Sequence, residues 1–498
     1  MLDLLRSVYE RLTAGGSTAE QAVQSGIWVA TINVGDRVLQ LLKVVILARL
    51  LSPEAFGLLG IALLAIAALR QFSKLGFDEA LIQHEEDDVD EYLNTAWVLK
   101  IIRGSVIALT AFLAAPRLAI FFGEAQAGPL IRVIGFSPLI LGLQNPAVMY
   151  FQKNLNFHRE FFYQVGGRFI DLTVAVTIAF VFRSVWALAI GIVSMNLVKF
   201  VLSYVIHEYR PSIEFNLEFG KEMFGFGKWM FASSILVFLY NQGDDAFVGW
   251  FFTAASLGFY QLAYRFSNAP ATEVTHVISR VAFPAFSKVQ DDTKSLRTGY
   301  YRVLKLTSLI GFPMAAGIIA VAPQFVNAVL GNQWGPMIPL MQVLSLWGGL
   351  RAIGANFGAV FNAVGRPDYN TKLQALKALL VVILIYPAAN NFGILGVAAI
   401  IVGNTLVVQP IAFYFALDII DGRATDVIHI ILYPLICSAA MAGLVLLADR
   451  TLVGAPSMLN LVLLIATGVA IYVSAMLIVE EVTSYGVTSI YANLRNSI

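Results

Sequence analysis

This chain of 498 residues is short of charge: only 13% of them are Asp, Glu, Lys or Arg, about half the share found in an average soluble protein. Basic and acidic residues nearly cancel, leaving a net charge of +1, so no global basic field exists to hold nucleic acid. The single cysteine, Cys437, excludes a disulfide framework and a cysteine-based metal cluster. No polar stretch is long enough for a soluble catalytic domain. A G-x-x-x-x-G-K-[ST] loop is missing, so ATP is not the direct driver, and no H-E-x-x-H or paired metal spacing occurs. The acidic run "EEDDVDE" at 85–91 lacks the spaced ligands and glycine of a calcium loop and reads as solvated. No cofactor is expected.

What fills the chain instead is hydrocarbon. Apolar residues make up 58% of it and the mean hydropathy is +0.74, which marks a polytopic membrane protein. Lipid-exposed backbone must satisfy its own hydrogen bonds, so the spans are expected to be helices and the fold class all-α. Segments of about 20 apolar residues fall near 23–49, 54–76, 93–115, 129–151, 161–182, 185–207, 228–252, 255–284, 300–329, 336–363, 371–389, 393–419, 426–448 and 458–480. That is about fourteen spans, with Pro138, Pro146, Pro270 and Pro313 tolerated as kinks. The expected division is an amphipathic cytoplasmic segment at 1–22, a first lobe of six helices at 23–207 and a cytoplasmic linker at 208–227. A second six-helix lobe follows at 228–420, then two additional helices and a tail at 421–498. The first segment lacks the apolar core of a signal peptide; Ser17 and Glu20 form a capping box for the first long helix.

Lys and Arg in the short loops set the orientation. With the N-terminus cytoplasmic, roughly fifteen basic residues lie inside, among them Arg159, Arg210, Lys288, Arg297, Arg366 and Arg423. Only Arg49, Arg117, Arg183 and Arg450 lie outside. An even span count returns the C-terminus to the cytoplasm. An internal repeat is also visible: "ILARLLSPEAFGLLGIA" (46–62) answers "FVGWFFTAASLGFYQLA" (247–263). Gly57 and Gly258 are 201 positions apart, as are Trp28 and Trp229. Six spans per repeat imply parallel halves related by an axis along the membrane normal, around one central site.

Charges inside the spans nominate that site. At about 100° per residue, Asn33, Asp36, Gln40 and Lys43 share one helix face with Arg37 at its border. An ionised group at mid-membrane costs about 2.5–3.5 kcal/mol on insertion scales, so the stripe is expected to face water or protein. It serves as cavity lining or as glue between helices. Arg265, Asn268, Thr272 and His276 repeat the pattern, with Arg265 the sharper candidate and His276 more often a structural donor. Arg103 interrupts a span, Arg351 lies too deep in one to snorkel, and Arg168 and Asp171 at i, i+3 read as a structural pair. Adding the repeat offset sends Gln40 to Asn241 and Lys43 to Asp244, next to Asp245, so Lys43 could meet Asp244 or Asp245 as a gate; the other expectation is a partner within its own lobe. The spans hold about thirteen cations against five anions, an excess that draws an anion such as a pyrophosphate with acidic sugars. A pump for cationic drugs would need the reverse. Aromatic residues such as Trp250, Phe259, Tyr260 and Tyr264 are expected to pack more often than to stack on sugar.

The stretches "SGIW", "ILARLLSPEAFGLL", "LGFDEALIQ", "NLNFHREF" and "GDDAFVGWFFTAASLGFYQLAYRFSNAP" resemble the Wzx-like polysaccharide and O-antigen flippases of the multidrug/oligosaccharidyl-lipid/polysaccharide (MOP) exporter superfamily. The resemblance covers both halves. It implies two lobes forming a V-shaped alternating-access cavity, and a lipid-linked oligosaccharide substrate moved from the inner to the outer leaflet of a prokaryotic cytoplasmic membrane. H+ or Na+ as coupling ion and a glycan polymerase or synthase as partner stay open, as does the second reading, a cation-coupled multidrug antiporter of the same superfamily. A membrane glycosyltransferase would need carboxylates on a sizeable outer loop, and the outer loops are short and acid-poor.

Overall fold

The computed structural model describes residues 18–73, 90–153, 156–214, 238–239, 241–451, 457–483 and 485–486, with the side chains of 18–23, 90–92, 152–153 and 269–281 set aside. The capping residue Ser17, most of the acidic run at 85–91, and Trp229 and Tyr240 lie outside them. The described residues are overwhelmingly helical, and they fall into two compact units, Met1–Gly258 and Phe259–Ile498. Among them, eight helices are long and apolar enough to cross a membrane.

In the first unit the order is α1 (Thr18–Leu50), α2 (Pro53–Phe72), α3 (Asp90–Phe121), α4 (Ala127–Gly135), α5 (Ser137–Gly142), α6 (Tyr150–Lys153), α7 (Phe157–Phe182), α8 (Trp186–Ile206) and α9 (241–251). The long helices match the expected spans, and α3 runs past the expected end at residue 115 because Pro116 is accommodated inside it. The fourth span departs from expectation. It is interrupted: Pro138 opens α5, and Pro146 opens a short 3-10 turn, Pro146–Met149. Proline has no N–H for the preceding turn and its ring crowds that turn's carbonyl, so it starts helices better than it continues them. The core at one end of this unit joins Leu47, Leu51, Ala175, Ala179, Ala187 and Leu188, from α1, α7 and α8.

The repeat is legible in the backbone. Ser52 Oγ accepts from the N–H of Ala55 at 3.3 Å, and Thr253 Oγ1, 201 positions on, accepts from Ser256 at 3.2 Å. These are equivalent N-caps. Between them the chain crosses itself reciprocally. A Cβ on Gly57 would stand 1.6 Å from the carbonyl oxygen of Ala254, and a Cβ on Gly258 would stand 2.2 Å from that of Pro53. Pro53 and Ala254 are themselves repeat equivalents, so residue i meets j′ while j meets i′, the signature of a local two-fold.

The second unit contains α10 (Ala254–Lys288, most of which lies past Gly258), α11 (Thr293–Phe325), α12 (Met337–Ala363), α13 (Pro367–Ile419), α14 (Ala424–Thr451) and α15 (Met458–Thr483). The 53 residues of α13 are two spans joined at Gly393, whose φ of 61° and ψ of −150° suit glycine almost alone. Polar side chains tie neighbouring helices here, as in other membrane bundles: Asn356 Nδ2 donates to Thr307 Oγ1 (2.9 Å), Gln409 Nε2 to the Leu350 carbonyl (3.0 Å) and Gln324 Nε2 to Asp449 (2.7 Å). The last of these, with a cluster of Ala320, Met441, Val445 and Leu464, seats α14 and α15 on α11.

Candidate functional site

The polar stripe of α1 meets α7. Asp36 Oδ1 accepts from Arg168 Nε at 2.7 Å, and Arg168 also reaches Asp171 at 3.4 Å. Asp171, 1% exposed, accepts from Lys43 Nζ at 2.5 Å. Two carboxylates and two cations thus form one chain, Asp36–Arg168–Asp171–Lys43, across two helices. The i, i+3 pair read from sequence is present, and it is extended at both ends by residues read as cavity lining. Lys43 thus meets Asp171 on α7. Asp36 on α1 thereby bonds the neighbouring helix α7. Gly191 of α8 makes room for this centre, since a Cβ there would lie 2.7 Å from Asp171 Oδ1. The carboxylate–cation contacts offset the heavy desolvation of ions at this depth.

Other nominated residues are distributed. Arg37 and Asn241 are exposed, Gln40 and Asp245 half-buried, and Asp244 buried. Arg103 turns to the end of α2, where its guanidinium donates to Ser73 Oγ (3.1 Å) and to the Arg70 carbonyl (2.8 Å). A cation at a helix C-terminus complements the helix dipole and its free carbonyls. Lys199 of α8 donates to Gln164 Oε1 of α7 at 2.5 Å and lies 5.3 Å from the Tyr163 ring.

In the second unit, α10 and α12 approach closely at Gly348, where a Cβ would stand 2.5 Å from the Ser267 carbonyl oxygen. This brings together two nominated residues far apart in sequence: Arg351 donates to Asn268 Oδ1 at 3.3 Å. Its guanidinium carbon also lies 5.0 Å from the Trp347 ring, itself 5.1 Å from that of Tyr264. Arg265, one turn before Asn268, is exposed, and so is Arg351. His276 lies on α10 with its side chain outside the described ones. Tyr260 is fully buried, and Phe259 packs edge-on to Trp334 at 5.9 Å, so these two rings pack within the protein.

Sequence reasoning missed that Asp171 serves Lys43 as well as Arg168. The partners are 128 positions apart, and no local pattern links them. Arg168 at i−3 already balances the Asp171 charge within its own helix, so nothing local signals a second cation.

Comparison with known proteins follows the same lines. Residues 46–339 match the family model described as polysaccharide biosynthesis protein. The chain is 29% identical over 389 residues to the lipopolysaccharide biosynthesis protein WzxC of Escherichia coli K12, covering 76% of this chain and 78% of that protein. It is 26% identical to the teichuronic acid biosynthesis protein TuaB of Bacillus subtilis, covering 74% and 76%. Its fold is similar to that of the lipid II flippase MurJ in an inward closed conformation, with a TM-score of 0.70 and 16% identity over 91% of this chain and 99% of that one. With more than half its length matched by one model, this chain belongs to the polysaccharide biosynthesis protein family.

Proposed function

We propose that this protein is a flippase that carries a polyprenyl-(pyro)phosphate-linked oligosaccharide from the inner to the outer leaflet during polysaccharide biosynthesis. The observation that carries the reading is Arg351. It stands near the middle of α12, exposed, and its partners among the described residues are neutral, an amide oxygen and an indole ring. A guanidinium at membrane depth with no carboxylate against it among the described residues calls for an anion from outside the protein. The phosphate of a lipid-linked glycan is such an anion; a cationic drug is not. Arg265, on α10 of the same unit, is exposed as well.

Family membership and the named relatives support the substrate class, and they favour a transporter over an enzyme. The glycan head crosses beside these cations while the lipid tail stays in hydrocarbon. The bias of Lys and Arg supports a multi-pass protein of the cytoplasmic membrane with both termini inside. H+ or Na+ is the candidate coupling ion, and a polymerase or synthase complex the candidate recipient.

Arg351→Gln tests the reading. The expected result is loss of surface polysaccharide with lipid-linked precursor accumulating on the cytoplasmic side, while the protein is inserted at normal level. Normal export by Arg351→Gln would refute the anion role.

A further inference from the structure

A cleft of about 270 Å³ opens in the first unit where the fourth span is interrupted. Its polar lining is Lys100 of α3, Gln144 and Asn145 at the interruption, and Glu160, Tyr163 and Gln164 of α7. The interruption is a built feature. Trp97 Nε1 and the Tyr204 hydroxyl both donate to the Leu143 carbonyl, at 3.5 and 3.0 Å. The Asn145 N–H donates to Ser203 Oγ at 3.0 Å, and the Asn145 side chain accepts from the Ala147 N–H at 3.0 Å. Backbone groups freed by the break are thus satisfied by neighbouring helices, the condition for irregular chain inside a membrane bundle. Discontinuous helices of this kind line binding sites in transporters.

Two buried atoms lining the cleft make no hydrogen bond among the described residues, Gln144 Nε2 and Glu160 Oε2, a donor and an acceptor. The Tyr163 hydroxyl donates to Gln144 Oε1 at 2.6 Å and so fixes the amide. Gln144 Nε2 is then buried with no acceptor among the described residues. A buried amide donor without an acceptor is costly, by about 1–3 kcal/mol, and calls for one. An ammonium at Lys100 favours an acceptor carrying negative charge, and Tyr163 supplies an aromatic wall. The volume is near the lower end of ligand sites, about 300 Å³, enough for one ring and too small for a whole oligosaccharide.

We propose that this cleft is a sugar-recognition subsite that takes a single ring bearing an acceptor substituent, a carboxylate or an N-acetyl carbonyl. The substituent meets Gln144 Nε2 and Lys100, and ring hydroxyls meet Glu160 and Gln164. Asn145 Nδ2 donates to the Tyr209 carbonyl, which puts the cleft at the end of the unit that carries Arg159 and Arg210, the side read as cytoplasmic. There it would test the glycan before translocation. The inference rests on the flippase reading and adds a determinant of which glycan is accepted.

The test uses full-length protein in nanodiscs titrated with glucuronate, N-acetylglucosamine and glucose. Trp97, hydrogen-bonded beside Gln144, is the fluorescence reporter, and Trp97→Phe confirms the source of the signal. Glucuronate or N-acetylglucosamine should give a saturable change, with glucose at least tenfold weaker. Gln144→Glu keeps the acceptor for Tyr163 and removes the donor; it should weaken the acceptor-bearing sugars at least tenfold. Should that variant fold poorly, Lys100→Gln serves in its place and should weaken glucuronate more than N-acetylglucosamine. Glucose binding as tightly as the others, or affinities indifferent to the variants, would overturn the subsite. Wild-type protein that exports glycan in cells yet binds none of the three sugars overturns it too, and leaves the flippase reading standing.

Discussion

Asp171 receives two cations, one from α1 and one from its own helix, in a position 1% exposed. Removing its charge takes the carboxylate from Lys43 and leaves Arg168 with Asp36, and stranding a buried ion in this way costs about 3–5 kcal/mol. Asp171→Asn is therefore expected to lower the melting temperature in detergent and the amount of protein in the membrane. The double variant Lys43→Met with Asp171→Leu removes both members of one pair and leaves Arg168 with Asp36. Replacing a buried pair by apolar side chains is often neutral, so the double variant should be more stable than Asp171→Asn. A double variant less stable than the single one would contradict the pairing. Export should persist in it, because the Lys43 ammonium is already neutralised by protein. Arg351, whose bonding partners among the described residues are neutral, is predicted to behave in the opposite way, stable without its charge and inactive.

Among the helices, α2 and the start of α10 cross backbone to backbone at Gly57 and Gly258. Substituting either repeat-related glycine pushes a methyl group into backbone, where no side-chain rotation relieves it. Overpacking of this kind costs about 1–3 kcal/mol and rises where backbone must move. Gly57→Ala and Gly258→Ala should therefore both lower the yield of folded protein, and to a similar degree, since the contact is reciprocal. Gly403, on α13 with nothing within 4 Å of a built Cβ, is the control: Gly403→Ala should be neutral or slightly stabilising, because alanine is the better helix former. Equal tolerance at all three positions would refute the crossing. The repeat offset pointed to both glycines, and the spans gave most helices to within a few residues. The interruption at Asn145–Pro146 was hidden, because a proline in a span reads equally as a kink or as a break until its neighbours are known.

For the molecule as a whole, sidedness is the property that transport requires. Tyr301 donates to Asp426 at 3.3 Å and accepts from the Arg423 N–H at 3.0 Å, and Arg297 donates to the Asp421 carbonyl. The basic residues of two distant loops thus sit at one end of the second unit, as the cytoplasmic assignment of both loops requires. In a Cys437→Ala background, a cysteine at Lys288 should react with impermeant maleimide only from the cytoplasm. One at Phe392, exposed beside the Gly393 bend, should react from outside. Labelling of Lys288→Cys from outside would reverse the topology.

The sequence by itself determined that the chain lives in a membrane, that it is helical, where most spans run and that its two halves repeat. Each of these follows from local composition and period: hydrocarbon must be covered by apolar side chains, and a backbone without water must bond to itself. It also nominated the cations, because an ion in an apolar run is conspicuous wherever it points. Tertiary structure decided what each ion does. Lys43 and Arg351 look alike in sequence, each a cation in an apolar helix, yet one faces a carboxylate 128 positions away and the other an amide and an indole ring. Whether a charge is spent on the fold or kept for a substrate depends on its nearest neighbours in space, and for residues on different helices those are set by packing.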